Sequence, residues 1–252
     1  MSELVANYRC QFQWRDWRTG LESLPPVIGQ TVLDLGCGIG DLTSELAAAG
    51  AHVLGVDASE ELLQYARSRQ IPNTEFRAAD LRTTVDFGLA VDGIWCSFAA
   101  AYFVDFADVL TRWARALKPG GWIAVTEIDD LFGHEPLSDR TKSLLNAYCD
   151  EGFAAGRYDF RAGRKIKAHL EQAGFSVSKL VAVHDREFSY DGPAETAVVD
   201  AWQRRFESMK LLRDFLGTDY AAVKEDFLHC LTRPDHRSCA RVFFSLAVKP
   251  PL

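Results

Sequence analysis

Three alternate glycines at a single turn constrain the fold of this chain more than any other feature. Gly36, Gly38 and Gly40 follow residues 30–35, an apolar and β-branched run that is typical of a buried strand. Glycine at such a turn permits positive φ and lets a ligand lie directly against the backbone. Residues 41–50 then carry apolar side chains at helical spacing and end at a glycine. The sequence therefore predicts a strand, a tight turn and a helix that begins at a ligand site.

Strand-like and helix-like segments alternate along the chain. Further strands are predicted at residues 52–57, 74–78, 91–97, 122–128, 175–183 and 240–248, and helices from Ser59 and at residues 105–117, 137–153 and 163–173. Such alternation implies right-handed crossovers and a parallel sheet covered on both faces. We therefore predict an α/β fold, a doubly wound, Rossmann-like, mostly parallel seven-stranded sheet whose last strand is antiparallel.

No repeat and no flexible linker divides the sequence, so we expect a single domain over residues 1–252. Its core would span residues 30–188, with the last strand at 240–249. Residues 1–29 would form a helical cap, and residues 189–239 a helical insertion between the last two strands. These additions, together with residues 130–161, are predicted to build the substrate pocket and its lid.

Charge and composition exclude several classes of protein. The net charge of −7 argues against a dedicated nucleic-acid partner. The longest apolar run, residues 98–104, is far shorter than the roughly 20 residues of a membrane helix. The first residues lack the pattern of a signal peptide, and the six cysteines show neither a CxxC pair nor metal-ligand spacing. We expect a cytoplasmic protein with free thiols, no metal and no membrane partner.

An acidic residue after the second strand indicates the kind of ligand. Asp57 stands 21 positions after Gly36, where a carboxylate can hold both hydroxyls of a ribose. Asp41 occupies the place of the third glycine in the dinucleotide fingerprint, and its charge would lie close to two phosphates. A cofactor with a ribose and no phosphate is favoured, and S-adenosylmethionine is the common one. A nicotinamide-dependent oxidoreductase remains the alternative.

Residues 31–128 resemble a class I S-adenosylmethionine-dependent methyltransferase of the small-molecule branch, the ubiquinone and natural-product type. Residues 34–40 match the family's first motif, Asp57 matches its ribose-binding acid, and residues 117–121 match its turn before the fifth strand. Asp80 falls where the family reads the adenine. The resemblance, with the N-terminal aromatics, implies these cofactor-binding residues: Asp34, Gly36, Cys37, Gly38, Gly40, Asp57, Ala58, Asp80, Leu81, Cys96, Ser97, Phe98, Tyr8 and Trp14.

The residues after the fourth strand narrow the methyl acceptor. They read Cys96-Ser97-Phe98-Ala99, without the Pro-Pro-aromatic motif of enzymes that methylate nitrogens in nucleic acid or protein, and without the Pro-Cys of cytosine methyltransferases. An acid that would complete a metal site with Asp129 and Asp130 is also missing. The resemblance implies a small-molecule acceptor at oxygen or nitrogen. An RNA methyltransferase and a non-catalytic, cofactor-binding partner protein remain open.

Many aromatic and acidic residues are predicted to lie around the entrance to the site. Such a pocket suits a flat or cationic acceptor. We predict His134 as the general base, with Glu127 as a second candidate and Tyr102 orienting the acceptor. The following basic residues are predicted to lie on the solvated side of an amphipathic helix without a function: Arg204, Arg205, Lys210 and Arg213. Trp202 and Phe206 on that helix suit either the sheet or a second subunit, so a homodimer stays open.

Overall fold

The computed structural model describes residues 3–84 and 86–250. Its strands are β1 (Thr31–Leu35), β2 (His52–Asp57), β3 (Thr74–Ala78), β4 (Val91–Ser97), β5 (Leu117–Asp129), β6 (His134–Glu135), β7 (Ser176–Val183), β8 (Arg237–Ser238) and β9 (Arg241–Val248). Its α-helices are α1 (Glu3–Gln13), α2 (Trp17–Leu21), α3 (Asp41–Ala48), α4 (Glu60–Ser68), α5 (Phe106–Trp113), α6 (Asp139–Ala154), α7 (Ile166–Gln172), α8 (Thr196–Ser208), α9 (Lys210–Leu216) and α10 (Tyr220–Leu231).

Seven strands form one sheet in the order β3-β2-β1-β4-β5-β9-β7. Strands β1 to β5 pair in parallel, and β9 runs antiparallel to both β5 and β7. The predicted α/β fold with an antiparallel last strand is therefore confirmed. The chain builds outward from β1 to β3 and then crosses back to β4, so the strand order reverses between β1 and β4. A crevice opens at the carboxyl ends of the strands at such a point.

Buried side chains cover both faces of the sheet. Successive residues of a strand point to opposite faces, and in β1 Val32 belongs to one buried cluster while Leu33 belongs to the other. Helices α5 and α7 cover the Leu33 face, and α3 covers the Val32 face together with residues of the C-terminal insertion. This double coverage explains why the strands read as nearly continuous apolar runs in the sequence.

Three helices, α8 to α10, lie between β7 and β9 and pack around an aromatic cluster. Trp202 and Phe206 are completely buried there, against Phe132 and Phe227. Both rings are therefore buried within this chain, and neither is exposed for contact with a second subunit. The sequence pattern suggests one long helix through residues 194–215, but Met209 has φ −78° and ψ 73°, which ends α8 and begins α9.

The N-terminal segment forms two helices joined by a short turn rather than one helix. Asp16 accepts a hydrogen bond from the backbone N–H of Thr19 and so caps α2. The turn pairs with the residues that follow β7, since Arg15 and Asp185 form an antiparallel bridge. None of the described helices is long and apolar enough to cross a membrane.

Candidate functional site

A cavity of about 820 Å³ opens at the carboxyl ends of β1, β2 and β4. Its volume lies within the roughly 300–1,000 Å³ of small-molecule sites. The glycine turn, the ends of β2 and β3, the loop after β4, the N-terminal segment and α8 all contribute to its wall. The residues that matter for its chemistry are Tyr8, Arg15, Asp34, Gly36, Cys37, Gly38, Asp41, Asp57, Ala58, Asp80, Leu81, Ser97, Phe98, Tyr102, Tyr158 and Arg205.

The backbone of Gly36 and Gly38 forms a concave surface, here called the cradle, with no room for a Cβ atom on either residue. Gly36 and Gly38 have φ of +78° and +52°, where a Cβ is strained. A Cβ on Gly36 would lie 2.8 Å from the Cβ of Ala99, and one on Gly38 would lie 3.0 Å from the Tyr8 ring. Gly40, also predicted as a cofactor residue, packs its α-carbon toward Phe76 and does not line the cavity. The first two glycines thus keep room for a ligand against the backbone.

Asp57 is held rigidly at the end of β2. Its Oδ2 accepts a hydrogen bond from the Gly38 N–H at 2.8 Å, and its Oδ1 accepts one from the Ser59 N–H at 2.8 Å. An ionised carboxylate has about four acceptor positions, so two remain for other donors. The cradle and this carboxylate together fit the ribose of a nucleoside cofactor.

Asp34 lies at the end of β1 and is almost completely buried. Burial raises the pKa of Asp34 to about 7, although Thr43 donates to its carboxylate at 2.6 Å, and the nearby charge of Asp57 acts in the same direction as burial. Asp80 contrasts with it: its exposed carboxylate pairs with Arg82 at 3.1 Å, and that hydrogen bond lowers the pKa of Asp80. Asp80 and Leu81 both line the cavity, as does Arg82.

The loop after β4 supplies Ser97, Phe98 and Tyr102 to the cavity wall. Phe98 has φ +54°, and its N–H donates to the Thr126 carbonyl at 2.9 Å. Tyr102 meets the edge of Tyr158 at a ring-centroid distance of 4.9 Å. Cys96, predicted beside the cofactor, is completely buried beneath this loop and does not line the cavity.

Glu127, predicted as a general base, lies behind the wall of the cavity. Its carboxylate is completely buried and accepts the N–H groups of Ala101 at 3.0 Å and Ile128 at 2.9 Å. Burial raises the pKa of Glu127 to about 7. The side chain joins the loop after β4 to the end of β5, so it positions the wall and does not itself line the cavity.

His134, the first choice for general base, is misplaced for that role. It lies in the two-stranded ribbon of β6 and β8, is 1% exposed, and contacts the rings of Trp202 and Phe227. Its Nδ1 is 3.0 Å from Nε2 of His236, and burial lowers the pKa of His134 to about 3. The geometry contradicts the prediction that His134 is a general base. The helical insertion, whose position the sequence does not predict, folds over His134 and encloses it.

Trp14 is the third predicted cofactor residue that does not line the cavity. It sits in the turn between α1 and α2, where its carbonyl accepts the Arg186 N–H at 2.9 Å. The next residue, Arg15, lines the cavity instead. Tyr8, on α1, lines the cavity as predicted.

Arg205 corrects another prediction, that it lies on the solvated side of its helix. Arg205 lines the cavity, and its guanidinium pairs with Glu187, which is 1% exposed. A signal existed in the sequence: Arg205 stands three positions after Trp202 and seven after Val198, on the apolar stripe of α8. Residues 156–165 interleave basic and aromatic side chains, and of these ten residues only Tyr158 lines the cavity.

The buried acid Asp34 leads to a prediction about stability and pH. An unfolded aspartate releases its proton near 4, whereas the folded chain holds the proton of Asp34 up to about 7. Raising the pH through this window therefore favours the unfolded state, and the cost in free energy of unfolding is on the order of 3 kcal/mol. Below the window the group is neutral in both states and costs nothing.

Urea unfolding of the cofactor-free protein at about pH 5 and about pH 8 measures this effect. Asp34→Asn removes the titration, so its free energy of unfolding should rise relative to wild type between the two pH values. Asp108→Asn, at an exposed position of α5, is the control and should show no such change. A pH-independent difference between Asp34→Asn and wild type would contradict the prediction.

Comparisons with known proteins agree with this geometry. Residues 32–121 match the family described as Methyltransferase domain. The chain is 32% identical over 220 residues to a trans-aconitate 2-methyltransferase of Methylobacterium radiotolerans, covering 84% of this chain and 80% of that protein. It is 33% identical over 117 residues to a ubiquinone biosynthesis O-methyltransferase of Thiobacillus denitrificans, covering 45% of this chain and 48% of that protein.

Among solved structures, phosphoethanolamine N-methyltransferase 2 of Haemonchus contortus in complex with S-adenosyl-L-methionine has the same fold. It superposes with a TM-score of 0.56 at 22% sequence identity, over 93% of this chain and 53% of that one. The chain spans about half the length of several of the curated relatives that it matches. The family match at residues 32–121 runs from β1 into β5 and so includes the cradle and Asp57.

Proposed function

Because the chain belongs to the class I S-adenosylmethionine-dependent methyltransferases, we propose that it methylates an oxygen of a small organic acceptor, with nitrogen as the alternative. Its cofactor is S-adenosylmethionine. One observation carries the proposal: a single cavity joins the glycine cradle and Asp57 to a second wall of tyrosines and arginines. Oxygen is favoured because the Thiobacillus relative is named as an O-methyltransferase. Family membership argues against a nicotinamide-dependent oxidoreductase and a non-catalytic partner protein.

The residues of the cavity divide the work of binding. When bound, the cofactor supplies a methyl group on a positively charged sulfur, which an acceptor takes by in-line displacement. Asp57 would hold the ribose hydroxyls, the Gly36 and Gly38 backbone would cradle the cofactor, and Asp80 and Leu81 would border its base. Tyr8, on α1, would cover the cradle and exclude water.

Neither predicted proton acceptor lies at the cavity wall, since His134 is enclosed by the insertion and Glu127 is bonded to two backbone N–H groups. We therefore propose that the chain accelerates methyl transfer by aligning the reactants and excluding water. The acceptor would then enter with its nucleophilic atom already free of a proton.

Two measurements test the proposed function. Calorimetric titration with S-adenosylhomocysteine should show micromolar binding, and no binding would contradict the use of this cofactor. Incubation with methyl-labelled S-adenosylmethionine and a metabolite extract should place the label in the small-molecule fraction. Label in RNA or protein only, or no labelled product at all, would contradict a small-molecule acceptor.

A further inference from the structure

Two arginines line the cavity, and the family motifs account for neither of them. Arg15 comes from the turn between α1 and α2, and Arg205 comes from α8. The Arg15 side chain is 9% exposed and that of Arg205 is 22% exposed. Burying a guanidinium is costly unless the charge is paired. Their placement at one cavity therefore requires a structure that supports them.

One short segment after β7 supports both guanidinium groups. Nε of Arg15 donates to Oδ2 of Asp185 at 2.8 Å, and Nη2 of Arg205 donates to Oε1 of Glu187. The two acids stand two positions apart and are both 1% exposed. Backbone bonds tie this segment to the N-terminal turn, since the Asp16 N–H donates to the His184 carbonyl at 2.9 Å. A single segment thus sets the positions of two cations.

Aromatic rings hold the guanidinium planes, and most of the N–H groups stay free. The guanidinium carbon of Arg15 lies 4.1 Å from the Phe98 ring centroid, and that of Arg205 lies 5.0 Å from the Trp202 ring. Each guanidinium has five N–H groups, yet among the described residues each donates to one side-chain acceptor only. Nε of Arg205 is buried without any acceptor in the described chain. That atom is enclosed, but the other unpaired N–H groups of these two cavity-lining arginines are suited to an acceptor group on a ligand.

The carboxylates that could attract a cation near these arginines are already engaged. Asp185 and Glu187 pair with the arginines, Glu127 accepts two backbone N–H groups, and Asp129 pairs with Arg164 at 2.6 Å. The described carboxylates that do line the cavity follow β1, β2 and β3, on the cofactor side: Asp34, Asp41, Asp57 and Asp80. The wall that Arg15 and Arg205 form therefore favours an anionic acceptor over the cationic one that the sequence suggests.

We propose that the methyl acceptor is a small organic acid and that Arg15 and Arg205 bind its carboxylate. The inference rests on the proposed function and names the substrate class of the same site. Arginine recognises carboxylates through paired N–H donors in a plane. Since two carboxylates already offset the two guanidinium charges, the wall suits a singly charged group better than a phosphate dianion. Tyr102 and Tyr158 lie beside it as further hydrogen-bond donors.

The chemistry of a carboxylic acid also agrees with the positions of His134 and Glu127, which both lie away from the cavity wall. A carboxylic acid is ionised at neutral pH, so one of its oxygens would form the bond to the methyl carbon while the bond from that carbon to sulfur breaks. The products would be a methyl ester and S-adenosylhomocysteine, and no proton would be transferred. Such an acceptor needs no general base, so it is compatible with the positions of His134 and Glu127.

Calorimetry on protein saturated with S-adenosylhomocysteine tests the proposal directly. Glutarate should bind, and its affinity should fall as salt is added, because the contact is between charges. Glutaramide has the same shape without the charge and should bind at least about tenfold more weakly. Glycerol phosphate tests a phosphate group in place of a carboxylate, and 1,5-diaminopentane tests a cation; both should bind more weakly than glutarate. Equal or tighter binding of the diamide, the diamine or the phosphate would overturn the proposal.

Two conservative variants and a neighbouring control assign the effect to these residues. Arg15→Lys and Arg205→Lys keep the charge and remove the planar fork, so each should weaken glutarate binding on the order of tenfold. Arg204→Lys, one position away on the exposed side of α8, should bind glutarate like wild type. Thermal unfolding and the S-adenosylhomocysteine titration show whether each variant is folded.

The outcomes separate this inference from the proposed function. Protein that binds S-adenosylhomocysteine but binds glutarate no better than glutaramide would overturn the inference and leave the proposed function intact. Failure to bind S-adenosylhomocysteine would count against the proposed function itself. Glutarate binding that both lysine variants retain in full would overturn the assignment to Arg15 and Arg205.

Discussion

Replacing Asp57 with alanine is expected to weaken S-adenosylhomocysteine binding by about one to two orders of magnitude. The carboxylate offers acceptors to the ribose hydroxyls, and hydrogen bonds to a charged group contribute about 1.5–3 kcal/mol each. The same oxygens accept the N–H groups of Gly38 and Ser59. The substitution therefore removes a ligand contact and also loosens the glycine turn that surrounds the ligand.

Calorimetric titration of Asp57→Ala, Asp57→Asn and wild type measures the effect. Asp57→Asn keeps one acceptor oxygen and should fall between the other two. Asp108→Ala removes an exposed carboxylate from α5, away from the cavity, and is the control for the change in net charge. An Asp57→Ala affinity equal to that of wild type would show that this residue does not bind the cofactor.

The part of the fold that binds the cofactor could be predicted from the sequence because its signals are local. Strands β2, β3 and β4 have the bounds that the sequence predicts, residues 52–57, 74–78 and 91–97. The glycines and Asp57 lie within a few residues of a strand end, and parallel strands bring those ends together at one edge. The spacing along the chain therefore translates directly into proximity in space.

The acceptor side could not be predicted in the same way, since its residues meet only through tertiary packing. Arg15 and Arg205 are 190 positions apart in the sequence and reach one cavity through the segment around Asp185 and Glu187. His134 follows β5 closely, as an active-site residue would, yet the insertion folds over it and buries it against Trp202. Proximity to a strand end correctly places the glycine turn and Asp57 at the cavity, and wrongly places His134 there.

Glu187→Ala is expected to lower the free energy of unfolding by about 3 kcal/mol, because removing one partner of a buried ion pair leaves the other charge uncompensated. Desolvation by burial lowers the pKa of Arg205, and the Glu187 carboxylate, together with Tyr158 and Asp185, raises it overall. Without Glu187 the guanidinium still stays charged, because arginine is not deprotonated in proteins. Glu187→Ala should therefore lower the stability of the folded chain even when no acceptor is bound.

Urea unfolding of three variants separates pairing from packing. The double variant Glu187→Leu with Arg205→Met removes both charges and keeps apolar volume, so it should recover most of the stability that Glu187→Ala loses. Glu195→Ala breaks the exposed pair between Glu195 and Arg186 and should change stability by less than about 1 kcal/mol. Recovery of stability without recovery of glutarate binding would show that the buried pair is retained for recognition, since an apolar pair would serve the fold equally well. A double variant as unstable as Glu187→Ala would instead make the pair a requirement of the fold.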